Sequence, residues 1–439
     1  MTSSSLCATI NIAIVIATLV LNFVSAFPQL EQRYASRAIT LPKRTLLTNS
    51  DGTFNRDKAI VCNAATAFKY HRNLLMLQES NGGALPAGMK LIDIPRAHIQ
   101  ARGAWQDEES LTDENDDSEW AGMITIGQPD QKFLVDFDTF NPSLLMLAGS
   151  SDLWIPSSSC NAEACSAKHK YNTTSSYTSR NETGIFSIEY GDGSTVSGSI
   201  FSDTVTVAGV KVRNQKFSAV TNLSSIFASD PVDGVLGLGF PSNSNLSGDP
   251  FFVSAVQQNA ITTKAFSFYL ATNNSELYLG GTNPKWYQEP IEYHPVNKSN
   301  GFWQVKNASI NVGGAKVLSN FDTIIDSGTT IMYGPPDMVK EIYAKVEGAE
   351  VFDSSEGFYS FPCDNVPKIS FSWGGEKFVI SSENFNLGTT SQNASTCAGA
   401  LAAKDLGLGD VLLLGDSWMK NAYHVFSLEK TAVGFAKLK

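Results

Sequence analysis

Two segments place an aspartate at the same point of the same pattern: Phe-Leu-Val-Asp-Phe-Asp-Thr at 133–139 and Asp-Thr-Ile-Ile-Asp-Ser-Gly-Thr-Thr at 322–330. Each is an apolar, strand-like run that ends on a carboxylate, Asp138 or Asp326, followed by small hydroxyl residues. Brought together, two such carboxylates cannot both ionise cheaply, so they share one proton and titrate as a unit. The ionised member can take a proton from a water attacking a carbonyl, while the protonated member hydrogen-bonds the carbonyl oxygen. That chemistry needs no metal and no cofactor. Thr139, Ser327 and Thr329 offer hydroxyls beside the carboxylates, and Gly328 lets the chain turn tightly.

The elements that must position this pair are read from the texture around it. From Trp120 onward the chain is a succession of short alternating runs broken by Gly, Ser and Asn, such as Phe186–Tyr190, Gly198–Val207 and Glu276–Leu279, so the body is mainly β. The clearest helical pattern in it is Asp337–Val346, introduced by Pro335 and Pro336. A second echo accompanies the first: Asp233-Gly-Val-Leu-Gly-Leu-Gly-Phe240 and Val411-Leu-Leu-Leu-Gly-Asp416 each set an apolar run against glycine, downstream of the respective aspartate. Glycine allows the close backbone approach that a strand crossing behind a site loop needs. The same order in both halves implies an internal duplication, divided at the turn cluster Gly281-Thr282-Asn283-Pro284 into halves 120–283 and 284–439.

A chain of 439 residues is long for one hydrophobic core, and two or three domains are expected. Residues 1–26 carry no charged side chain, are mostly apolar over Ala8–Val24 and end in Val24-Ser25-Ala26. They read as a secretory signal, with an uncleaved membrane anchor as the alternative. Cys7 leaves with that signal and Cys62 lies in a segment read below as removed, which leaves Cys160, Cys165, Cys363 and Cys397. Four cysteines allow three pairings; close spacing favours Cys160–Cys165 and then Cys363–Cys397, in an oxidising compartment. Eight Asn-x-Ser/Thr sequons begin at Asn172, Asn181, Asn222, Asn245, Asn273, Asn297, Asn307 and Asn393, as expected of a secreted glycoprotein.

Charge is segregated. Residues 27–102 hold eleven Lys/Arg against five acids, a net of +6, whereas residues 103–439 hold 21 basic and 38 acidic residues, a net of −17. A basic segment of this kind docks on an acidic body at neutral pH and loosens as carboxylates protonate. It contains a helical stretch at Ala64–Leu77 and a break at Asn81–Gly88, and it is followed by an acidic, solvated run within 103–119.

In its motifs the chain resembles the pepsin-like aspartic proteases, the fungal secreted members in particular. The resemblance runs from Trp120 to Lys439 and is carried, in family order, by Ser150-Ser151-Asp152-Leu153-Trp154, Tyr190-Gly191-Asp192-Gly193-Ser194, Asp233–Gly239, Ile325-Asp326-Ser327-Gly328-Thr329 and Leu414-Gly415-Asp416. It implies a bilobal, mainly β fold with the active site between two pseudo-symmetric lobes, and a signal and prosegment ahead of it. Asp138 and Asp326 match the catalytic pair, Tyr190 the tyrosine of the flap that closes over substrate, and Trp154 the tryptophan supporting it. Ser150 matches the hydroxyl residue beside the first aspartate, and Gly191 belongs to the flap. Asp192 matches a flap acid that admits a basic side chain before the scissile bond. Family prosegments set a lysine against the catalytic pair, and Lys69-Tyr70 is the match here. The implied protein is a monomeric, acid-acting endopeptidase zymogen, secreted or alternatively vacuolar. Its partners are protein or peptide substrates and its own prosegment as an intramolecular inhibitor, with no nucleic acid.

One departure from the pattern stands at the first half-site. Glycine should follow Asp138-Thr139 directly, yet Phe140 occupies that place and Gly149 arrives only after Phe140–Ala148. Deleting those nine residues restores Val-Asp-Phe-Asp-Thr-Gly-Ser-Ser-Asp-Leu-Trp without another change, as a mis-spliced stretch would. A genuine insertion instead sets Leu144-Leu145-Met146-Leu147 beside the cleft and implies a catalytically impaired glycoprotein that binds peptides or is inert. A secreted carbohydrate hydrolase also uses paired acids. The duplicated Asp-hydroxyl motif argues against it.

Overall fold

The computed structural model describes residues 37–41, 47–92, 120–139, 151–189, 195–228, 231–272, 274–297 and 301–439. The segments read as signal and acidic run, the insert Phe140–Ala148, Ser150 and the flap residues Tyr190, Gly191 and Asp192 lie outside these. Among the described residues no helix is long and apolar enough to cross a membrane.

The two halves repeat one strand plan. In the first, the strand Gln131–Asp138 pairs in parallel with Gly234–Gly237, which pairs antiparallel with Leu153–Pro156, which pairs in parallel with Val210–Leu223. In the second, Ala315–Ile325 pairs in parallel with Val411–Leu414, which meets Met332–Gly334 antiparallel, which pairs in parallel with Leu401–Ala403. Each half thus builds a seven-stranded sheet around the strand that delivers its aspartate. Both crossings depend on glycine. A Cβ on Gly234 would stand 2.1 Å from the Trp154 carbonyl oxygen, and one on Gly415 would stand 2.1 Å from that of Thr329. The echo of apolar runs against glycine is therefore a close backbone approach behind each site.

A six-stranded sheet underlies both halves. Its order is Ala38–Leu41, Ser275–Leu279, Ala265–Tyr269, Tyr423–Ser427, Ala432–Ala436 and Glu292–Pro295, so it takes strands from either side of residues 283/284. The edge strand Ala38–Leu41 comes from the basic N-terminal segment. Disulfides join Cys160 to Cys165 and Cys363 to Cys397, and the latter ties the four-stranded sheet strand Thr396–Gly399 to the end of Phe358–Pro362.

The basic segment also supplies a 25-residue helix, Arg56–Ser80, longer at both ends than the Ala64–Leu77 periodicity predicts. Asn55 caps it by accepting the Lys58 amide at 2.9 Å, and Asp57 sits in the first turn where the helix dipole favours an anion. Ala59, Ala64, Ala65 and Ala67 supply high propensity without bulk. Gly82 and Gly83, both at positive φ, end it. Every residue from Cys62 to Tyr70 is buried, all round the helix, because protein encloses it on more than one side.

Candidate functional site

The helix Arg56–Ser80 reaches the end of the strand that delivers Asp326. The Lys69 ammonium stands 2.9 Å from Asp326 Oδ2, and both side chains are closed off from solvent, at 2% and 0% exposure. The Tyr70 hydroxyl donates to the same oxygen at 3.1 Å and the Thr329 hydroxyl at 2.5 Å, while the Gly328 amide donates to Oδ1 at 3.0 Å. This carboxylate is held by four donors, one of them cationic. Burial first, then the charge and hydrogen bond of Asp326, and then the charge of Asp138, push the Tyr70 phenol well above its ordinary range. Both aspartates therefore act on the same phenol.

Thr139 and Ser327 brace the two half-sites. The Ser327 amide donates to Thr139 Oγ1 at 3.0 Å, the Thr139 amide donates to Ser327 Oγ at 3.2 Å, and the hydroxyls are 3.0 Å apart. The sequence suggests hydroxyls aimed at carboxylates. Thr329 does that, whereas the hydroxyls of Thr139 and Ser327 meet each other. The reciprocal bonds fix adjacent backbone of both halves, so Asp138 and Asp326, the preceding residues, are brought to one place, each fully buried.

On either side of the insert the chain holds the same frame as the second half. Leu238 N–H bonds to the Asp138 carbonyl at 2.7 Å, and Gly237 N–H bonds to the Asp152 carbonyl at 3.0 Å. Leu153 pairs with Leu236, as Tyr333 pairs with Leu413. Trp154 is buried on its strand and meets Phe227 edge-on at 6.1 Å.

Several site residues were not evident from sequence. Asp152 is a buried hydrogen-bonding hub: it accepts from Ser244 Oγ at 2.7 Å, from the amides of Asn245 and Leu246, and from Asn245 Nδ2 at 2.7 Å. Burial pushes its carboxyl up, against the pull of these donors. Asn245 in turn accepts from Arg72 of the helix at 3.0 Å. Asn245 also heads one of the eight sequons, and its amide nitrogen is the donor to Asp152. At the other end of the helix, Asn63 Nδ2 donates to the Glu356 carbonyl at 3.0 Å and to its carboxylate at 3.2 Å, and Arg56 pairs with Asp353. These partners are about 90 to 300 residues apart along the chain, and no local spacing announces them.

A family profile described as eukaryotic aspartyl protease matches residues 119–438. An aspartic protease of Phaffia rhodozyma is 43% identical over 334 residues, covering 74% of this chain and 78% of that protein. Cathepsin D of Gallus gallus is 34% identical over 336 residues, with 73% and 81% covered. Rhizopuspepsin-1 of Rhizopus niveus is 33% identical over 334 residues, with 74% and 80% covered.

Proposed function

The chain belongs to the eukaryotic aspartyl protease family, and from that premise we propose that it is a secreted endopeptidase zymogen whose catalytic groups are Asp138 and Asp326. The observation that supports this reading is the reciprocal bracing of Thr139 and Ser327, the residues that follow the two buried aspartates. Sharing one proton, the pair holds a water; the ionised carboxylate takes its proton as the oxygen attacks the peptide carbonyl, and the protonated carboxyl donates to the carbonyl oxygen. Collapse of the tetrahedral intermediate breaks the C–N bond as a proton passes to the leaving amine. Gly328 and Thr329 position Asp326, and in sequence Gly149 and Ser150 are the counterparts that serve Asp138. Trp154 supports the flap formed by Tyr190, Gly191 and Asp192.

Residues 1–26 are the signal, 27–102 the inhibitory prosegment, 103–119 an exposed acidic connection, and 120–283 and 284–439 the lobes. The prosegment reading is supported by the Lys69 and Tyr70 contacts, which occupy the carboxylate that water and substrate need. Acidification protonates the Asp353 and Asp405 carboxylates that face Arg56 and Lys90, and cleavage follows between Arg102 and Trp120. The interruption at Phe140 favours a second reading, a catalytically impaired glycoprotein of the same fold. Hydrolysis of a denatured protein at low pH, blocked by a peptide mimic bearing a hydroxyl in place of the scissile carbonyl, separates the two. No hydrolysis by either the chain as written or a version lacking 140–148 sinks the peptidase reading.

A further inference from the structure

Beyond the cleft helix, the prosegment makes a second seat on the C-terminal half. Pro86–Met89 forms a reverse turn closed by the Met89 amide on the Pro86 carbonyl at 3.1 Å, with Gly88 at φ +87°. Lys90, which follows, donates its amide to the Gly407 carbonyl at 2.8 Å and sets its ammonium 2.8 Å from the Asp405 carboxylate. The receiving loop, residues 405–411, is shaped to admit backbone. Gly407 and Gly409 both stand at φ +75°. A Cβ on Gly407 would lie 2.1 Å from the Lys90 carbonyl oxygen, and one on Gly409 would lie 2.7 Å from that of Gly88. Asp405 also accepts the Gly407 amide at 2.9 Å, which fixes the anion and the carbonyl together. A cavity of about 410 Å³ continues beside the turn, bordered by Lys306, Asp322 and Asp410. Asp322 begins the stretch paired with Val411–Leu414 and precedes Asp326 by four residues, roughly 13 Å along the strand.

We propose that the loop 405–411 is a second peptide-recognition site, which after prosegment release takes a glycine-bearing reverse turn leading into a lysine on a protein substrate. What the seat reads is main chain plus one ammonium, and neither belongs only to the prosegment. Two glycines exclude nothing but side-chain bulk, one carbonyl takes an amide donor, and one carboxylate sits where the next lysine falls. The site would hold substrate away from the bond being cut and raise its local concentration there. That the bound chain is a substrate rests on the peptidase reading, whereas recognition of the turn does not.

The test uses the full-length chain with residues 87–91 replaced by Gly and Ser. The seat is then open while the helix Arg56–Ser80 still fills the cleft, so a labelled peptide of residues 85–92 added in trans reads the seat alone by fluorescence anisotropy. Saturable binding is expected. N-methylation of the peptide's Lys90 amide should weaken it about tenfold by removing the donor to Gly407. Lys90→Ala in the peptide, or Asp405→Asn in the protein, should weaken it roughly two- to fivefold. The peptide-side changes leave the protein untouched, so misfolding cannot mimic them. No saturable binding, or binding indifferent to N-methylation, overturns the site. For the substrate claim, the acid-processed chain lacking 140–148 should cleave a peptide carrying a Pro-Ala-Gly-Met-Lys tail with lower KM and equal kcat relative to a scrambled tail. Equal KM values refute that claim. No cleavage of either peptide, with binding in trans intact, refutes the peptidase reading and leaves the recognition site standing.

Discussion

Replacing Lys69 by Met removes the ammonium from Asp326 and keeps most of the stem that packs in the cleft. The pair is buried at both ends, so the Asp326 carboxylate would be left in protein interior without its cation. Breaking one member of such a pair costs about 3–5 kcal/mol. The Tyr70 and Thr329 hydroxyls and the Gly328 amide remain on the carboxylate, which sets the effect at the lower end, about 3 kcal/mol. At 1.36 kcal/mol per decade, the docking equilibrium of the prosegment helix shifts on the order of a hundredfold. Most of a helix's stability in a protein comes from the packing of its buried face, so its amides exchange when it leaves the cleft. Hydrogen exchange at neutral pH, followed at residues 62–77, should therefore show protection lower by about that factor, with no need for catalytic activity. Arg56→Ala is the internal control: Arg56 is 47% exposed, and its pair with Asp353 is worth less than about fivefold. If Lys69→Met lowers protection no more than Arg56→Ala does, the buried pair is not what holds the helix in the cleft.

In the chain lacking 140–148, once the prosegment has been removed, Asp326→Asn and Asp138→Asn should each lower acid proteolysis on the order of a thousandfold; substantial activity in either variant shows the pair is misassigned. The chain as written should cleave an unfolded protein at least about a hundredfold more slowly than the version without Phe140–Ala148, because a displacement of about 1 Å at the first half-site costs that much. Equal rates at equal concentrations of processed enzyme would show that the insert is tolerated. His424, fully buried against Trp418 and Phe435, has its pKa pushed down by burial to about 3, with the Ala422 backbone opposing. Between pH 6.5 and 3 the unfolded chain binds a proton there that the folded chain does not, so stability falls as pH drops through that window, by up to roughly 5 kcal/mol. His424→Leu should flatten that limb of the stability curve, measured by urea unfolding, and an unchanged slope would assign the acid limit to other groups.

How far the sequence led depended on how local each signal was. The duplicated strand endings at Asp138 and Asp326, the glycine crossings at Gly234 and Gly415, and both disulfides were legible because each is written in a few adjacent residues. The lysine and tyrosine at 69 and 70 were legible through the family resemblance alone, since a Lys-Tyr pair on a helix has no spacing that points at a carboxylate 257 residues away. Helix limits were missed at both ends because Asn55 and the Gly82-Gly83 stop lie outside the apolar periodicity. The bracing of Thr139 on Ser327 was not legible, because residue types are local and only the closed fold decides which neighbour each hydroxyl meets. Asp152, Asn245 and Glu356 act through partners far along the chain, where pattern reading has no purchase.

The parallel pairing behind each aspartate has a consequence for timing. Val135 meets Gly234 and Asp322 meets Val411, so each half-site closes a loop of nearly a hundred residues before its carboxyl is fixed. Loop closure of that span costs entropy that no local contact returns, and parallel strands are slow to find one another. Hairpins such as Ala121–Ile126 with Gln131–Asp138 cost far less and can form early. The carboxyl pair is thus assembled late, from parts that are individually inert. A nascent chain made mostly of local structure carries the residues for hydrolysis without yet carrying the geometry.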